Sequence, residues 1–122
     1  MEVMASLHGR VGWALVLYYT AAGVWGLYLG ARGTGLTPSF RGAVVIAEIA
    51  AIAQGLLGFV VLAFVRPPLD SLHILYGFAL VLAMPLAATL IRERTPRGQA
   101  VALGFAALFT AGLAIRAITT SG

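Results

Sequence analysis

Four apolar runs of about twenty residues each dominate this sequence, at roughly 7–29, 42–65, 71–91 and 99–119. A helix that crosses a bilayer needs about 20 mostly apolar residues, and each run meets that length. The breaks between them carry the residues that stop helices and mark water. Arg32, Gly33, Gly35, Pro38 and Arg41 fill the first, and Arg66, Pro67, Pro68 and Asp70 fill the second. The third runs from Arg92 through Glu93, Arg94, Thr95, Pro96 and Arg97 to Gly98. Ser6 and Ser71 each stand just ahead of an apolar run and are expected to cap helix N-termini. Pro85 falls inside the third run, where a kink is expected. The expected architecture is therefore all-α: a single-domain, integral membrane four-helix bundle.

Composition narrows the function classes. Apolar residues make up 61% of the 122 and charged residues 10%, whereas a soluble domain carries about 25% charged residues. With no cysteine, disulfides, thiolate metal sites and cysteine nucleophiles are excluded. All eight basic residues are arginines, scattered over short loops and helix ends. No continuous basic face results, so nucleic acid is not an expected partner; the lipid bilayer is. The first run is too long for a signal-peptide core and is rich in tryptophan and tyrosine, so it is expected to be a retained helix.

Arginine counts give an orientation. The loops joining helices 1–2 and 3–4 carry Arg32, Arg41, Arg92, Arg94 and Arg97, against Arg10, Arg66 and Arg116 at the opposite side. The positive-inside rule then places the chain as a multi-pass protein of the inner or plasma membrane with both termini outside. Small residues recur at four-residue spacing, as Ala43, Ala47, Ala51 and Gly55 in helix 2 and Gly26 and Gly30 in helix 1. Such stripes let helices approach closely.

An internal echo singles out two residues. Residues 6–17 read SLHGRVGWALVL and residues 71–82 read SLHILYGFALVL, with eight of twelve positions identical. Arg32-Gly33 recurs at the same offset as Arg97-Gly98. The chain thus reads as a tandem pair of two-helix units. Helices 1 and 3 run in the same direction, which sets His8 and His73, the only histidines, at similar depth near the outer interface. Ionisable residues in apolar helices are costly and commonly functional. Each histidine opens an HxxxG pattern, so Gly12 and Gly77 lie one turn deeper on the same face. Two imidazoles at one level on facing helices match the axial ligand set of a haem iron. Zinc would need three or four ligands, which nothing nearby supplies. Arg10, Arg66 and Arg116, expected on the histidine side, are suited to pair with the two haem propionates.

Residues 54–79, QGLLGFVVLAFVRPPLDSLHILYGFA, resemble haem A synthase. That family has a Gln-Gly-x-x-Gly helix, a short proline-containing outer loop and a helix opening with Leu-His. His8-Gly9-Arg10-Val11-Gly12 is similar to the family's other histidine helix. The resemblance spans helices 1 to 3. It implies that His8 and His73 ligate one haem b near the outer face, with Gln54, Gly55 and Gly58 lining the pocket. Two features depart from the family. Met4 stands where it has a glutamate tied to oxidation chemistry, and this chain offers four helices where the synthase has eight. What the resemblance implies is haem binding and one-electron transfer, with a quinone or a larger respiratory or photosynthetic complex as partner, rather than synthase activity.

Two other readings differ in class. A non-catalytic accessory subunit of a larger membrane complex would tolerate loss of both histidines. A small four-helix transporter, working as a homo-oligomer, would use Glu48 in helix 2 as its coupling carboxylate. No catalytic triad, paired carboxylates, phosphate-binding loop or zinc motif is present.

Overall fold

The computed structural model describes residues 2–65, 67 and 71–121. Four helices account for nearly all of them: α1 (Glu2–Ala31), α2 (Pro38–Phe64), α3 (Leu72–Leu90) and α4 (Pro96–Ser121). There is no strand among the described residues, and each helix is long and apolar enough to cross a membrane. The chain is an all-α, multi-pass membrane bundle, as the four apolar runs require.

The helix ends differ from expectation in instructive ways. α1 begins at Glu2 rather than near residue 7, so Ser6 lies inside it and caps nothing. At 30 residues it is about 45 Å long, longer than the ~30 Å hydrocarbon core. Its polar first turns therefore extend into the interfacial zone, beyond the apolar run. α2 and α4 also start earlier than their runs, each on a Thr-Pro pair. Thr37 Oγ1 accepts from the Phe40 amide at 3.1 Å, and Thr95 Oγ1 accepts from the Gly98 amide at 3.1 Å. A proline follows as the first helical residue, where its missing N–H is no loss. Ser71 does precede α3, but its backbone is already helical and its side chain makes no capping bond. α1 stops at a Schellman turn: the Thr34 amide reaches Leu29 O at 2.8 Å and the Gly33 amide reaches Gly30 O at 3.0 Å. Gly33 takes φ +75° there, a conformation that costs glycine little. Pro85 lies within α3 as expected.

The helices form a ring in chain order. α1 packs on α2 and α4, and α3 packs on α4 and, least tightly, on α2, leaving α1 and α3 on a diagonal. The closest seam joins α1 to α4. A Cβ at Gly104 would lie 2.8 Å from the Leu27 amide nitrogen and 2.9 Å from Gly23 O; one at Gly26 would lie 2.8 Å from Gly104 Cα. Gly26 thus serves the close approach anticipated for it, with Gly23 and Gly104 as the partners. In the α2 stripe Ala47 and Ala51 are fully buried, while Gly55 is exposed. The interior is filled by Leu15, Tyr19, Phe40, Leu80, Met84, Leu103 and a row of α4 alanines. Large apolar side chains such as Ile49, Leu56, Phe59, Leu82, Phe105 and Phe109 point outward, the pattern expected of a lipid-facing surface.

Candidate functional site: a histidine pair across the bundle

The diagonal placement of α1 and α3 brings the rings of His8 and His73 edge to face. Their ring centres are 6.0 Å apart and their planes lie at 84°. The two residues are 65 positions apart in the chain, one on each echo unit, and both are half-buried. Parallel helices of similar entry point set them at one level, near the end of the bundle that carries the chain termini.

Each ring is held by a different neighbour. His73 Nδ1 lies 2.6 Å from Ala117 O on α4. Because a carbonyl only accepts, Nδ1 carries the proton, and Nε2 keeps its lone pair. His8 packs against α2: a Cβ at Gly58 would fall 2.9 Å from His8 Cε1 and 3.4 Å from Nε2. Glycine at 58 is what allows the imidazole to lie against the helix backbone. Gln54, one turn away on α2, donates from Nε2 to His8 O at 2.7 Å, tying the two helices together at this level.

Four buried side-chain atoms have no hydrogen-bond partner among the described residues: His8 Nδ1, Gln54 Oε1, Tyr19 Oη and Glu48 Oε1. Buried polar atoms are rarely left unpaired, and each exception calls for a reason. The first two belong to the histidine level. The other two lie deeper, Tyr19 on α1 and Glu48 on α2.

The remaining expected residues distribute unevenly. Gly12 is buried, with Gln54 Nε2 and Ile118 occupying the space its missing side chain leaves. Gly77 is half-buried, and a Cβ there would meet nothing within 4 Å. Gly55 is exposed and only grazes Val81. Arg116 follows Ile115 on α4, next to Ala117, whose carbonyl accepts from His73, and its guanidinium lies 5.6 Å from the Tyr76 ring centre, a cation–π geometry. Arg10 is exposed on α1. Arg66 lies outside the described residues. Ala117, whose carbonyl orients His73, was not singled out by the sequence. Nothing in its residue type marks it, since the contact is made by the backbone.

The 6.0 Å between ring centres is of the size that two imidazoles on opposite sides of one metal, each about 2 Å from it, would need. A hydrogen bond from the second ring nitrogen to a carbonyl is the usual way a ligating histidine is oriented. No group of three or more His, Cys, Asp or Glu side chains gathers among the described residues. At this level the described residues offer two imidazoles and no third His, Cys, Asp or Glu beside them. No family model, curated protein or solved structure matches the chain.

Proposed function

We propose that this protein is a b-type cytochrome-like membrane bundle, with His8 and His73 as the two axial ligands of one haem b. The observation that carries this reading is the spacing of the two rings, 6.0 Å between centres across the diagonal of the bundle. The hydrogen bond from His73 Nδ1 to Ala117 O and the bare backbone at Gly58 beneath His8 support it. Haem at such a site supplies reversible one-electron chemistry.

The chain's own residues do the rest. Ala117 O fixes the His73 tautomer, leaving the Nε2 lone pair free to ligate. Gly58 permits His8 its position, and Gln54 holds the α1 backbone on which His8 is carried. Arg116 and Arg10, with Arg66 expected on that side from the sequence alone, would supply guanidinium groups to the propionates. The inside-rich arginine loops support an orientation with both termini, and the histidines, on the outer side of the plasma or inner membrane. Electron exchange there would be with a membrane quinone or a neighbouring redox complex.

The test is stoichiometry. Protein purified from haem-replete cells is expected to carry one haem per chain, and both His8→Ala and His73→Ala to lose most of it while staying folded. Full haem occupancy in either alanine variant would overturn the assignment of that ligand. An accessory-subunit role without haem is the outcome if all three preparations are colourless.

A further inference from the structure

The second pair of unpartnered atoms, Tyr19 Oη and Glu48 Oε1, lies away from the histidines and has no part in the reading above. Tyr19 is eleven residues deeper than His8 on α1, about 16 Å along the helix. Glu48 is ten residues deeper than Gly58 on the antiparallel α2, about 15 Å, so the two side chains share a level. Tyr19 is completely buried, and Glu48 is half-buried with Oε1 enclosed. One turn or so toward the inner end, Tyr18 Oη donates to Ala43 O at 2.8 Å, pinning α1 to α2 beside the pair.

A carboxyl group enclosed in an apolar bundle needs a cation, a proton or a hydrogen-bond donor, since an isolated ionised carboxylate there is costly. Among the described residues, no cation forms an ion pair with Glu48. Arg41, seven residues earlier on α2, is exposed. From α1 the facing titratable groups are Tyr18 and Tyr19. From α3 the stretch between Gly77 and Leu90 contains no titratable residue at all. A metal ion would require several more oxygen ligands than one carboxylate and one phenol. A proton needs none.

We infer that Glu48 and Tyr19 form a proton-binding site inside the bundle, in which the Glu48 carboxyl takes up and releases a proton and the Tyr19 hydroxyl hydrogen-bonds to it across one water. A phenol suits this task because it donates to the carboxylate and accepts from the carboxylic acid. The same two oxygens are then satisfied in both states, which accounts for a buried tyrosine and a buried glutamate left without protein partners.

Infrared difference spectra of the full chain in phosphatidylcholine vesicles, recorded between acid and alkaline pH, test this. A protonated-carboxyl C=O stretch that appears on acidification, shifts in deuterium oxide and is lost in Glu48→Gln is the expected result. In Tyr19→Phe the band should persist but shift in frequency, which reads the pair even if the glutamine variant fails to fold. A band unaffected by either substitution overturns the inference. So does one that follows sodium concentration rather than pH, which would make the site a cation site. Repeating the measurement on the His8→Ala, His73→Ala double variant separates this result from the haem assignment, because the band should survive there unchanged.

Discussion

At the scale of single residues, the site depends on what is missing at position 58. A methyl group there would press on His8 Cε1 from 2.9 Å, and the imidazole, being a movable side chain, would swing aside. Gly58→Ala is therefore expected to keep the fold yet weaken haem retention by about tenfold, the lower end of what supporting groups around metal ligands contribute. Haem titration of the detergent-solubilised variant measures this, and unchanged affinity would show that His8 does not need the bare backbone. His8 and His73 stood out in the sequence through the repeated Ser-Leu-His, and Gln54 and Gly58 only through the Gln-Gly-x-x-Gly resemblance; both of the latter contact His8. Ala117 was not, because its contribution is a carbonyl that any residue would offer. Tyr19 was also passed over: among apolar neighbours a tyrosine reads as packing, and only its unpartnered hydroxyl distinguishes it.

At the scale of helices, the α1–α4 seam is the tightest contact and rests on glycine. The atoms that a Cβ on Gly104 would meet are all backbone, Leu27 N, Gly23 O and Gly26 C, at 2.8 to 3.1 Å. Backbone cannot rotate away, so Gly104→Val must separate the two helices. We expect a loss of about 1–3 kcal/mol or more, of the size that overpacking causes, seen as a lowered thermal midpoint in detergent. Gly112→Ala on the same helix, where nothing lies within 4 Å, should leave the midpoint unchanged or slightly raised. Equal effects from the two would contradict the seam. Helix number and approximate spans followed directly from apolar run length. Helix starts did not, since α1 continues through Glu2, Ser6 and Arg10 and the Thr-Pro caps precede their apolar runs. The α4 side of the seam was hidden as well: its glycines at 98, 104 and 112 follow no four-residue spacing, and the partner of Gly26 emerges only in three dimensions.

For the molecule as a whole, four alternating helices put both chain ends at one end of the bundle, and the two arginine-rich loops at the other. Arg97 Nε donates to Gly30 O at 2.7 Å, so one of those arginines also fastens α4 to the end of α1. Because the chain has no cysteine, single introduced thiols report topology cleanly. Glu2→Cys is expected to react with a membrane-impermeant maleimide in intact cells, and Arg94→Cys only after permeabilisation. The reverse pattern would invert the orientation while leaving the bundle intact. The ring order of the helices could not be read from the sequence, yet parallel α1 and α3 could. That parallelism, together with the diagonal placement, is what brings two distant histidines within reach of each other.

The most direct measurement is the reduced-minus-oxidised visible spectrum of the purified wild-type protein, taken with and without carbon monoxide. Haem bound by both histidines has no open iron position, so a sharp six-coordinate low-spin spectrum that carbon monoxide leaves unaltered is predicted. A preparation that is colourless and unchanged by added haemin, or a haem that binds carbon monoxide at once, would contradict paired ligation by His8 and His73.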